Sequence, residues 1–282
     1  MTRIEKLFAV LLLLPAACGT SSRRGPAVGV PIPPSPRPEI SVETTDPLVL
    51  LQPGEYRSAS GETLPYRLFV PPSYDASSKY PLVVFLHGAS ASGIDNQRQL
   101  TGSGFWGTAV WVSDVVQSIH PSFVLAPQAN PRRGSAWVDQ WSRPEDPAGG
   151  RQEPLELVIE LIDRLATEFA IDEARLYVTG ISMGGFGAWS AITRYPEKFA
   201  AAVPVCGGGD PSSVGRNQTA VWAFHGLADQ TVPVHRSQEM IEAFRVAGAE
   251  AKYTEYPGLA HDIWERAYQD PGLVPWLFSQ QR

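Results

Sequence analysis

One stretch limits what this chain can fold into more than any other. Residues 175–189 read Arg-Leu-Tyr-Val-Thr-Gly-Ile-Ser-Met-Gly-Gly-Phe-Gly-Ala-Trp. The first half is apolar and partly β-branched, which reads as a short buried strand. Residues 186–195 hold no Pro and no Gly after Gly187, which reads as a helix. Between them lies Gly180-Ile181-Ser182-Met183-Gly184, a G-x-S-x-G. A serine forced into a tight strand-to-helix turn takes an unfavourable backbone conformation, and its flanking neighbours must lack a Cβ for the chain to close. Such a turn lifts the hydroxyl off the sheet edge and aims helix N–H groups at the same point. Ser182 is therefore the candidate nucleophile. The competing reading is a glycine-rich turn with an idle serine.

With 282 residues, 43% hydrophobic and 18% charged, the chain can build one large α/β core plus an appendage. Its net charge of −6 and the lack of any basic run longer than Arg23-Arg24 or Arg132-Arg133 speak against a nucleic-acid partner. Cys18 and Cys206 are the two cysteines, and Cys18 falls at the end of a leader, so no disulfide is expected in the mature fold. Cys206 reads as a small buried side chain after a strand.

Residues 1–18 carry Arg3 and Lys6, an apolar run from Leu7 to Leu14, then Pro15-Ala16-Ala17-Cys18. This has the form of an export signal, too short to span a bilayer comfortably. Leu14-Pro15-Ala16-Ala17-Cys18 resembles the bacterial lipoprotein box, with Pro15 a departure from it. The resemblance implies lipidation at Cys18, and Gly19 beside it implies an outer-membrane address. Simple secretion, cut near Ala17, is the alternative. Residues 19–47 are rich in Pro, Ser, Gly and Arg and read as a semi-extended tether. The catalytic domain is expected over residues 48–282.

Within it, two short strands flank a turn at Ser60-Gly61. Residues 81–86 form an apolar run of strand length that ends in His87-Gly88-Ala89-Ser90-Ala91-Ser92-Gly93. Further strands are expected at residues 122–126, 199–205, 220–225 and 252–256. Residues 154–169 have apolar positions at helical spacing, with Pro154 in the first turn, and residues 237–246 read as another helix. Alternating strands and helices mean a mostly parallel sheet covered on both faces.

A serine hydroxyl needs a base within hydrogen-bond reach and a third group to orient that base. Of five histidines, His261 sits in a loop straight after the last strand, where a base can reach over the turn. His87 reads as a brace for its loop, His225 as a packed core side chain, His120 as part of a connection and His235 as a helix start. Asp229, leaving a strand between serine and histidine in chain order, is the candidate acid. Asp210 reads instead as a turn-former before Pro211, and Asp262 as the N-cap of a helix. Charge that develops on a carbonyl oxygen needs preorganised N–H donors. Met183 N–H and an N–H of the loop after His87-Gly88, from Ala89 or its neighbour, are the expected pair.

These residues resemble the α/β-hydrolase fold. Within it they are similar to the bacterial "predicted peptidase" and polyhydroxybutyrate-depolymerase-like esterase group, related to feruloyl and acetylxylan esterases. The resemblance covers about residues 50–282. It rests on Phe85-Leu86-His87-Gly88, Leu125-Ala126-Pro127-Gln128, the stretch from Gly180 to Trp189, Tyr195-Pro196-Glu197-Lys198-Phe199, Phe224-His225-Gly226-Leu227-Ala228-Asp229 and His261-Asp262-Ile263-Trp264. It implies carboxylic ester hydrolysis without a cofactor. Ala89-Ser90-Ala91-Ser92 replaces the Ala-Gly-Glu-Arg usual in that group, so a substrate contact made there by a charged pair is not expected.

No His, Asp or Cys group has metal-ligand spacing in the linear sequence. Trp137, Trp141 and Trp264 lie in or beside loops near the catalytic elements and are expected to line the cleft for a ring-bearing ester, free or attached to a polysaccharide, with simple loop packing as the alternative. Two rival readings are a prolyl-oligopeptidase-type peptidase and a non-enzymatic surface protein of the same fold. The chain has no room for the large propeller of the first, and intact Ser182, Asp229 and His261 argue against the second.

Overall fold

A computed structural model of the chain describes residues 46–130, 137 and 153–282. The leader, Cys18, nearly all of the tether and Trp141 lie outside the described residues.

A short helix, α1 (Pro47–Leu50), opens the described region, capped by the Asp46 carboxylate on Leu48 N–H. Strands β1 (Gln52–Arg57) and β2 (Thr63–Phe69) form an antiparallel hairpin. β3 (Tyr80–Leu86) follows, then helices α2 (Ser103–Val112) and α3 (Asp114–Ile119), and β4 (Phe123–Pro127). Next come α4 (Pro154–Glu168), β5 (Ile171–Ile181), α5 (Met183–Arg194) and β6 (Ala201–Val205). β7 (Ala220–Gly226), α6 (His235–Val246), β8 (Ala251–Tyr256), α7 (Trp264–Tyr268) and α8 (Leu273–Phe278) complete the fold. The eight strands form one sheet in the order β1-β2-β4-β3-β5-β6-β7-β8, parallel from β4 to β8 and antiparallel at the β1-β2 edge and across β2-β4. This is the α/β-hydrolase arrangement expected from the sequence.

Side chains alternate across a strand with period two, so each central strand feeds two cores. Leu82, Val84, Leu86, Phe123, Leu125, Leu176 and Val178 face a core shared with α4, α5 and α6. Val83, Phe85, Val124, Ala126, Tyr177 and Ile181 face the opposite core, shared with α2, α3, α7 and α8. Burial on both faces is why β3 reads as an unbroken apolar run rather than an alternating one.

The sequence raises no expectation for α2 and α3. In α2, residues 107–112 are all buried, so it has no polar stripe to mark it as a helix. α4 shows the opposite case. Its apolar face packs against the sheet, and Glu153 and Glu156 form a reciprocal capping box at its start. Arg194, at the end of α5, pairs with both glutamates and ties the two helices together. α5 begins at Met183, three residues earlier than the glycine content suggests.

Candidate active site

The chain leaves β5 at Ile181 and enters α5 at Met183, so Ser182 alone makes the turn. Its backbone sits at φ 54° and ψ −115°, a conformation that L side chains rarely adopt. The turn closes only because its neighbours lack side chains. A Cβ on Gly184 would lie 1.8 Å from Leu86 O, and one on Gly180 would lie 2.2 Å from Gly184 O. Ser182 N–H donates to Val205 O at 2.8 Å, which pins the turn to β6.

Three side chains from three loops meet here. Ser182 Oγ lies 2.9 Å from His261 Nε2, and His261 Nδ1 lies 2.7 Å from Asp229 Oδ2. The Asp229 side chain is fully buried, while that of His261 keeps 20% of its surface exposed. Asp229 Oδ1 accepts Thr231 N–H at 2.8 Å and Val232 N–H at 2.9 Å. Burial pushes the Asp229 carboxyl up, but the hydrogen bonds from His261 and Val232 outweigh it and hold the group below the usual carboxylate range. The loop bearing His261 reaches this close because Gly226 ends β7. A Cβ there would lie 2.0 Å from Ala260 O.

The loop after β3 passes over the turn. A Cβ on Gly88 would lie 3.9 Å from Ser182 Cβ. Ala89 opens a 3-10 turn, Ala89–Ala91, and Met183 opens α5. The first N–H groups of a helical segment have no partner within it, and Ala89 and Met183 hold those positions beside the turn. His87 braces the loop. Its Nδ1 lies 2.7 Å from Gly88 O and its Nε2 accepts Ala129 N–H at 3.0 Å, a pattern that fits the neutral ring protonated at Nδ1. Gln128 ties the same loop down from β4, donating to Ala91 O and Asp95 and accepting Asn96 N–H.

The remaining expectations divide. Trp264 is half-buried, with its ring edge-on to His261 at 6.1 Å, so it stands beside the site. Trp137 does not line the cleft. It is 0% exposed, donates from Nε1 to His87 O at 2.9 Å, and fills the space left by Gly187, where a Cβ would lie 3.0 Å from Trp137 Cβ. An indole that completes a core offers no surface to a ligand. Trp141 falls outside the described residues. Asp262 does not cap α7: it is exposed, and Ile263 occupies the cap position with no side-chain hydrogen bond. Asp210 is the expected turn-former, accepting Ser212 N–H at 2.9 Å.

Two residues near the carboxylate escape a linear reading. His225 is buried as expected, but it also touches Asp229, with Nε2 3.1 Å from Oδ2. Cys206 Sγ, Asp229 and His261 bring potential ligand atoms within 4.8 Å of one another, a grouping that no sequence spacing reveals. Burial pushes the Cys206 thiol far up, so it stays protonated.

Comparison with known proteins bears on the family and the fold. A family model, Esterase ("Putative esterase"), matches residues 58–255. The crystal structure of a thermostable esterase superposes with a TM-score of 0.76 at 40% identity, covering 83% of this chain and 64% of that one. Poly(3-hydroxyalkanoate) depolymerase C of Paucimonas lemoignei is 30% identical over 128 residues, 45% of this chain and 28% of the depolymerase. A probable feruloyl esterase C of Aspergillus terreus is 28% identical, covering 64% of this chain and 60% of its own. The chain thus spans less than two thirds of each of these three relatives.

Proposed function

The chain belongs to the Esterase family, and on that premise we propose that it hydrolyses carboxylic esters through Ser182, His261 and Asp229. The observation that carries this reading is the unbroken hydrogen-bond path from Ser182 Oγ through the His261 ring to Asp229. His261 Nε2 takes the Ser182 proton as Oγ attacks the ester carbonyl. Asp229 stabilises the imidazolium through the Nδ1–H bond. The tetrahedral oxygen takes Met183 N–H and Ala89 N–H, each donor lowering the barrier by about 3–4 kcal/mol. His261 then hands its proton to the leaving alcohol. A water molecule repeats the sequence on the acyl-enzyme and frees the acid.

The names of the relatives support an acyl group such as feruloyl or acetyl, borne by a small molecule or a polysaccharide. Trp264 beside His261 gives an aromatic flank on which a ring can lie. For the segment outside the described residues, we propose export and lipidation at Cys18. Labelling with a radioactive fatty acid that disappears in Cys18→Ser tests that part.

Turnover of p-nitrophenyl acetate, methyl ferulate and acetylated xylan tests the activity. Ester hydrolysis should fall by a factor of about 10⁶ in Ser182→Ala. Esterase activity that persists in this variant overturns the site. A peptidyl-proline chromogenic substrate cleaved faster than every ester replaces the reading with a peptidase of the same fold.

A further inference from the structure

Behind the Asp229 carboxylate lies a second imidazole. His225, near the end of β7, is 0% exposed. Its Nε2 is 3.1 Å from Asp229 Oδ2 and 2.9 Å from Val232 O, and its Nδ1 is 2.8 Å from Ser237 Oγ on α6. A carboxylate oxygen and a carbonyl oxygen only accept, so Nε2 must carry a proton. Burial disfavours a second proton on the ring, and it outweighs the pull of the nearby carboxylate. Nδ1 is then a bare acceptor and takes the Ser237 hydroxyl proton, for which Gly207 O at 3.0 Å is the rival acceptor. The donors thus run from Ser237 to His225 to Asp229 and converge there with the path from Ser182 through His261. Both imidazoles deliver an N–H to one oxygen, Asp229 Oδ2.

We propose that His225 is a positioning residue for this site, holding the rotation of the Asp229 carboxylate and sharing its charge with His261. Val232 N–H and Thr231 N–H fix Oδ1, and the two rings fix Oδ2, so the carboxylate has no free rotation left. An N–H from His225 draws charge out of Oδ2, which weakens the hold of Asp229 on the His261 imidazolium. His225 acts only through Asp229 and does not touch the substrate. The groups that act on it are Asp229 and, beyond that, His261, with Ser237 of α6 at Nδ1; Glu255, its register partner on β8, is bonded to Gln238, and the Cys206 thiol lies beside Asp229 and His261.

The inference rests on the esterase reading, and the test separates the two. His225→Gln keeps an N–H donor near the Nε2 position. His225→Leu fills similar volume with no donor, and Ser237→Ala removes the hydroxyl that anchors Nδ1 and with it the orientation of the ring. The kcat, KM and pH profile for p-nitrophenyl acetate are measured for each, with Tm as the control for folding. In His225→Leu, kcat should fall about 100-fold with KM within about two-fold of the parent. Its acid limb should move up by about half a pH unit or more, because an unshared carboxylate stabilises the imidazolium. His225→Gln should recover at least about ten-fold of that loss, and Ser237→Ala should lose a few-fold, about 3 to 10, in the same direction. Equal kcat and an equal acid limb in the Leu and Gln variants overturn the proposal, as does a loss that merely follows the folded fraction. Where His225→Leu does not fold, a Ser237→Ala enzyme with the parent's kcat and acid limb overturns it. Activity that survives Ser182→Ala sinks the esterase site and this role with it. Activity lost in Ser182→Ala but unchanged in His225→Leu sinks this role alone.

Discussion

His87 is wholly buried, and burial pushes its pKa down to about 4, well below the free imidazole. Its two hydrogen bonds require the neutral ring: Nε2 must accept from Ala129 N–H. An unfolded chain binds a proton at this residue below the free value near 6.5, while the folded chain resists until about 4. The unfolded state therefore holds more protons in that window, and folding stability drops as pH falls through it. The full contribution is present above pH 6.5, and about 3 kcal/mol is lost on reaching pH 4. Urea melts between pH 7 and pH 4 should show this slope, and His87→Gln should flatten it while lowering stability at pH 7. A slope unchanged in His87→Gln would place the acid sensitivity elsewhere. At this scale the sequence anticipates which side chains from separate strand ends meet, as Ser182, Asp229 and His261 do. It was silent on which face a loop residue presents. Trp137 and Asp262 were misread for that reason: nothing in their neighbours' order tells an indole in a core from one at a mouth, or a capping carboxylate from an exposed one.

The element on which the site depends most is the β5-α5 turn. Leu86 O stands where a Cβ of residue 184 would go, and that oxygen belongs to the backbone of β3 and cannot swing aside. Gly184→Ala should therefore cost more than about 3 kcal/mol, or leave the chain unfolded, because β3 and α5 must part. Chemical denaturation of the variant beside Gly215→Ala checks this, since Gly215 has open space around it and suffers only its positive φ. A similar, small loss in both would mean that the turn relaxes more easily than its packing implies. Elements with a one-sided pattern were legible. α4 shows its apolar stripe and its leading Pro154, and β3 shows its unbroken run. α2 was not, because a helix buried on nearly every side has no periodic contrast. The register that sets His225 beside Asp229 was equally hidden, although both belong to the short run from Phe224 to Asp229.

Across the molecule, the parallel strands all end at one rim, and the loops leaving β3, β5, β7 and β8 deliver His87, Ser182, Asp229 and His261 there. Strand order explains the convergence: β5 lies at the middle of the sheet, with β3 on one side and β6, β7 and β8 on the other. Alternation of strands and helices was enough to expect this layout, but not the antiparallel edge, since pairing direction at a sheet margin depends on long-range contacts.

The positive φ of Ser182 has a consequence for heat tolerance. A non-glycine residue in that region costs of the order of 1–3 kcal/mol, held in place by the rest of the fold. Swapping in glycine releases that tension, less the extra chain freedom glycine gives the denatured state, whereas alanine keeps it. Ser182→Gly should melt about 2–4 °C above Ser182→Ala, a gap of about 1 kcal/mol in a domain of this size, and calorimetry of the two variants would measure it. The hydroxyl's reach would then carry a thermal penalty set by the hinge it rides on, and a chain without it would outlast its parent.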